Sequence, residues 1–108
     1  MENTQQISEP WLVVSSNKSH FEDELEREVS SEHPLYGKSV KAIAHRQDRD
    51  DVLFEVHDSD FSYATVHLTY KKEHTQDFPL VSFFKDWNEV YINLIQADIK
   101  EWDELNQI

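Results

Sequence analysis

Three histidines, His45, His57 and His67, are interleaved with Asp48, Asp50, Asp51, Glu55, Asp58 and Asp60 in one stretch of the chain. Residues of these types can do two kinds of chemistry. A metal site needs three or four of them converging on one point. Acid–base work needs a carboxylate pair whose members are driven to different pKa values by burial and by each other. For either, Glu55, His57 and His67 are the strongest group, because hairpin pairing could bring them to one side of a sheet. A slip of one residue in register would separate them. No His-Glu-x-x-His or His-x-His signature anchors a metal.

The aspartates have a plainer use. "DRDD" and "DSD" are turn formers whose side chains accept from local backbone N–H groups. The turn reading therefore outweighs the catalytic one. Five aspartates divided between the two ends of one strand lie roughly 20 Å apart and cannot share one site. Ser39, His45 and Asp48 supply the residue types of a nucleophile, a base and its partner, but no nucleophile motif surrounds Ser39.

The elements that must carry these residues are legible from periodicity. "SHFEDELEREVSSEHP" reads as a helix over about 19–31, with Ser19 and Glu22 as a capping box. Phe21, Leu25 and Val29 form its apolar stripe, and Glu24, Glu26 and Glu28 face water. Pro34 and Gly37 end it. In "EHPLYG" Tyr36 suits a recognition loop, but the simpler expectation tucks Leu35 and Tyr36 under the sheet. Strand-like runs follow. In the first, Val40, Ala42 and Ala44 share a face. In the second, Val52, Phe54 and Val56 oppose Leu53, Glu55 and His57. In the third, Ala64, Val66 and Leu68 oppose Tyr63, Thr65, His67 and Thr69. "LVSFF" is a fourth strand. From Asp86, whose side chain pairs with Glu89 as a cap, Tyr91, Ile95, Ile99, Trp102 and Leu105 give a helical stripe. The expected fold is α+β, order α-β-β-β-β-α. It is an antiparallel sheet of about four strands with flanking helices on one face. Residues 1–10 read as a loose leader and 11–108 as a single domain.

The chain has 108 residues, one glycine and no cysteine. A single glycine excludes phosphate-cradling glycine-rich loops. The lack of cysteine removes disulfides and thiolate sites and suits a reducing cytoplasm. "MENTQQISEPWLVVSS" lacks the basic and apolar regions of a signal peptide. With 22 acidic and 10 basic residues the net charge is −12, which argues against nucleic acid and anionic membranes as partners. Six acids fall in 22–32 and six in 48–60, with only Arg27 and Arg49 to offset them.

Several words resemble a family of small bacterial proteins without an established activity. They are Glu24-Leu25-x-Arg27-Glu28, His33-Pro34-Leu35-x-Gly37, Arg46-x-Asp48-x-Asp50-Asp51-Val52-Leu53-Phe54 and Val66-His67-Leu68-Thr69. The match spans roughly residues 11–90. Tyr70 and Phe78 stand where the family has Trp, so an aromatic is kept at each. The resemblance implies one soluble domain. Some acidic proteins of this kind look like immunity proteins encoded beside secreted toxins.

The expected function is non-catalytic binding of a basic protein, such as a cognate nuclease-type toxin whose cationic active site an acidic inhibitor would block. The expected contacts are Tyr36, Asp48, Asp50, Asp51, Glu55, His57, Asp58, Asp60, Tyr63, His67 and Tyr70, with no metal or cofactor. The rival is a small hydrolase or metal-dependent enzyme using His67, His57 and Glu55. A third reading is homodimerisation through an exposed strand or the C-terminal helix.

Overall fold

The computed structural model describes residues 7–14, 20–57 and 59–106. Their strands are β1 (Trp11–Val13), β2 (Val40–Arg46), β3 (Asp51–Val56), β4 (Tyr63–His67) and β5 (Leu80–Phe84), with α1 (His20–Glu28) between β1 and β2. They form one antiparallel sheet in sequence order. The α+β class is as expected, with one strand more. β1 is three residues of edge strand, its Trp11 facing Arg46, and is too short to show a period in the sequence. Of the expected loose leader, Ile7 and Pro10 are buried. The Pro10 carbonyl accepts from the Gln47 N–H at 2.9 Å.

The β3 alternation is as expected, but both of its faces are covered. Val52, Phe54 and Val56 join Ala64, Val66 and Leu68 under Leu25, Val29 and Leu35. On the opposite face Leu53 and Tyr63 join Trp11, Phe84, Val90 and Ile95. The helices thus sandwich the sheet instead of sharing one face. This explains why Leu53 is as apolar as its neighbours: every fully buried side chain of this size contributes about 1.5–3 kcal/mol relative to exposure.

One irregularity decides what lies on each face. Ala42 pairs with Phe54 and Ala44 with Leu53, leaving Ile43 as the extra residue of a β-bulge. Past a bulge the faces of a strand exchange. Ala44 therefore joins the second core with Ile43, not the first core with Ala42 as strict alternation requires. His45 turns toward α1, its ring 5.2 Å from that of Phe21. Arg46 turns the other way. Its guanidinium donates to Asp48 through Nε (2.9 Å) and Nη2 (2.9 Å), and through Nη1 to Asp98 (3.2 Å). Asp98 also accepts from the Trp11 indole at 2.9 Å.

Helix α1 keeps the expected apolar stripe but ends at Glu28. Ser19, its expected cap, lies outside the described residues. The Glu22 carboxylate accepts from the Ala42 N–H beside the bulge at 3.0 Å. Only Glu26 of the three glutamates expected in water is exposed; Glu24 and Glu28 are buried. The next loop is anchored by His33. Its Nδ1 accepts from the Leu35 N–H (3.0 Å), so Nε2 carries the hydrogen donated to the Pro79 carbonyl (2.8 Å). Leu35 is tucked in as expected, whereas Tyr36 is exposed. Gly37 has φ +74°, the left-handed conformation glycine adopts without strain.

At the C-terminal end the Asp86 side chain accepts from the Glu89 N–H at 2.9 Å, the expected cap. α2 (Trp87–Val90), a π-helical turn (Tyr91–Ile95) and α3 (Gln96–Leu105) run on without a break in helical dihedrals. Ile95 is buried and Tyr91, Ile99 and Trp102 half-buried, but Leu105 is exposed where the helix passes the sheet.

Candidate functional site

The register fixes where the histidines and carboxylates meet. Asp51 lies opposite His67, and Glu55 opposite Tyr63. Glu55 and His67 are therefore separated by four residues of strand, about 13 Å. The expected Glu55–His57–His67 group does not converge. Two separate pairs form instead, one toward each end of β3: His67 Nδ1 to Asp51 Oδ1 at 2.7 Å and His57 Nε2 to Glu55 Oε1 at 2.7 Å. Among the described residues no three His, Asp or Glu side chains are grouped so as to hold a metal ion.

The His57 pair extends by one residue. Ser39 Oγ lies 3.4 Å from His57 Nδ1, so the hydroxyl, the imidazole and the Glu55 carboxylate form a chain. With Nε2–H donating to Glu55, Nδ1 is left as an acceptor for the hydroxyl hydrogen. Ser39 also lines a cavity of about 500 Å³ between α1 and the loop that follows it, with Leu25, Val29, Tyr36 and Val40. His45 and Asp48 take no part: they lie at the far end of β2, on opposite sides of the sheet. Sequence spacing offered no way to find the Ser39–His57 contact, because β2 and β3 join it across the sheet.

That far end holds a second recess, of about 410 Å³, on the α1 side. Phe21 packs between His20 and His45, with ring centroids 4.1 and 5.2 Å apart. Tyr70, Leu12 and Asp50 line the same recess. The Asp50 carbonyl accepts from the Leu68 N–H (3.0 Å), but its carboxylate has no partner among the described residues. Tyr70 has φ +58°, a conformation rare and strained for a bulky residue.

The strain is held by a buried acid. Glu28, 0% exposed, accepts from the Thr69 N–H (2.8 Å), the Thr69 hydroxyl (3.1 Å) and the Tyr70 N–H (2.8 Å). Burial, and then a hydrogen bond shared with Glu24, push its pKa up to about 7 against the donors' opposite pull. Glu24 is itself buried and paired with Arg27. The Tyr70 hydroxyl is also pushed up, first by burial and then by the charges of Asp50, Glu24 and Glu28. Three carboxylates thus act on the Tyr70 hydroxyl. The sequence marked Tyr70 and Asp50 but not Phe21, His20 or Glu28.

The remaining expected contacts are divided. Asp48 is committed to Arg46, which holds its carboxyl below the usual range. Tyr63 is 6% exposed, lying edge-on to Trp87 at 5.5 Å in the second core, and offers nothing to a partner. Tyr36 is exposed but does not line the recess of Tyr70. Asp60 is exposed in the β3–β4 connection, and Asp58 lies outside the described residues.

No family model, curated protein or solved structure matches the chain.

Proposed function

We propose that this chain is a non-catalytic acidic binding domain for a basic protein, with a cognate toxin neutralised at its cationic active site as the particular form. The reading rests on one observation: the acidic excess is not consumed internally. Few cations offset the acids: Lys71 and Lys72 after Tyr70 are exposed, but the arginines near the recess are ion-paired. Arg46 is engaged by Asp48 and Asp98, Arg27 by Glu24, and Arg49 reaches Glu101 at 3.7 Å. Asp50 and Asp60 are left facing solvent, with aromatic rings beside the first. Charges of this kind speed encounter with a cationic surface, and aromatic anchors supply affinity. The test is binding to basic proteins, beginning with the product of the adjacent gene. Nanomolar affinity that weakens steeply between about 50 and 500 mM salt is expected; association indifferent to salt, or none, overturns the reading.

A second reading draws on the Ser39–His57–Glu55 chain, which has the order nucleophile, base, carboxylate of acyl-transfer enzymes beside a cavity. Here the histidine is half-exposed and 3.4 Å from the hydroxyl. Hydrolysis of p-nitrophenyl esters that disappears in Ser39→Ala and in His57→Gln would select this reading. Equal slow hydrolysis by all three proteins would eliminate it.

A further inference from the structure

The geometry points to the recess between Phe21 and Tyr70 as a socket for an arginine side chain of the basic partner, with Asp50 receiving the guanidinium. This rests on the acidic-binding reading and gives it a location.

The walls come first. Phe21, with the His20 and His45 rings against it, and Tyr70, 45% exposed, both line the recess. Flat π surfaces attract a weakly hydrated planar cation, more strongly as the site sheds water. Leu12, exposed at the β1 edge, extends the apolar lining.

Charge then selects among ligands. Asp50 has a carboxylate with no hydrogen bond or ion pair among the described residues, and a carboxylate can receive two guanidinium N–H groups at once. Two arginines also border the recess. Arg46 is buried and saturated by Asp48 and Asp98, and Arg49 is drawn off to Glu101 on α3. Behind Tyr70 lie Glu24 and Glu28, whose field reaches its hydroxyl. An anion would meet this field unfavourably, and a neutral ligand would leave Asp50 unanswered.

Preorganisation is the third support. The left-handed backbone at Tyr70 is over-determined by the Glu28 carboxylate, which takes both its N–H and that of Thr69. A backbone held in place before binding loses little entropy on contact. Strain of this kind is retained where the surroundings impose it and where it serves a site.

The experiment uses the full-length ¹⁵N-labelled chain at low salt, titrated with a hexa-arginine peptide and, as the uncharged isostere, a hexa-citrulline peptide. Hexa-arginine should shift the amides of Phe21, Asp50 and Tyr70 foremost, and hexa-citrulline should shift none of them. Asp50→Asn should weaken hexa-arginine binding about tenfold. Tyr70→Asn, which keeps a side chain at home in the left-handed region, should weaken it about fivefold. Asp60→Asn should change it less than twofold. Each variant is first checked for a native amide spectrum. If hexa-arginine binds with its shifts elsewhere and Asp50→Asn binds like the parent, the socket is wrong and the acidic-binding reading stands. Equal binding of hexa-citrulline overturns the socket as well. No binding of hexa-arginine at low salt overturns both.

Discussion

Glu28 shows how far a single charged residue can depart from its apparent place on a helical wheel. It sits on the expected solvent side of α1, yet it is fully buried because the chain after β4 needs an acceptor. Two backbone N–H groups left without one would each destabilise the fold by about 1–3 kcal/mol. Its elevated pKa makes the fold sensitive to pH. The folded value of about 7 exceeds the ordinary 4.5, so folding takes up a proton between those limits. The stabilisation is complete below about pH 4.5 and is lost as pH rises through 7. Thermal melts of the parent should therefore show the melting temperature falling from pH 5 to pH 8. Glu24→Gln places an amide donor where the shared proton lies and lowers the Glu28 pKa. Its melting temperature should fall less over that interval; a parallel decline in both proteins would contradict the shared proton.

At the scale of elements, the bulge at Ile43 has the widest consequences. It lets one strand place Ala42 under α1 and Ala44 under the C-terminal helix, and it sets Arg46 among Trp11, Asp48 and Asp98. Deleting Ile43 would remove the extra residue yet keep Ala44 opposite Leu53 and Arg46 on the side of Asp98, so the ion pair is tested directly by Arg46→Ala. Breaking a buried, hydrogen-bonded ion pair destabilises by roughly 3–5 kcal/mol, a large share of the stability of a small domain. The Arg46→Ala variant should accordingly lack a cooperative transition by circular dichroism at 25 °C. A melt like the parent's would mean that Asp48 and Asp98 find water in place of the guanidinium. The alternation of β3 and β4, the α1 stripe and the Asp86 cap were all legible in the sequence, because each depends on residues a few positions apart. The bulge was not, since "SVKAIAHR" alternates well enough either way and only the pairing with β3 decides it.

For the whole molecule, the concern is the outer edge of β5. Leu80–Phe84 carries no charge, ends the sheet and leaves Leu80 57% exposed. Uncharged edge strands invite pairing with another copy unless something opposes it. Here the opposition is long-range repulsion between chains of charge −12. Sedimentation at rising salt, or as pH falls into the carboxylate range, should show growing self-association that Ser82→Lys suppresses. If Ser82→Lys associates like the parent, the contact lies on another surface. Among the described residues no helix is long and apolar enough to cross a membrane.

The sequence by itself determined the fold class, the hairpin order, the faces of β3 and β4 and the acidic character of the surface, because local periodicity and composition carry that information. Only the tertiary structure decided that helices cover both faces and that His57 meets Ser39 and Glu55 while His67 meets Asp51. It alone placed Tyr63 inside, and it set Phe21, Asp50 and Tyr70 around one recess. Those outcomes depend on register, on one extra residue in β2 and on a carboxylate reaching from a helix to a distant loop. They join residues far apart in the chain, and no spacing within the sequence encodes them.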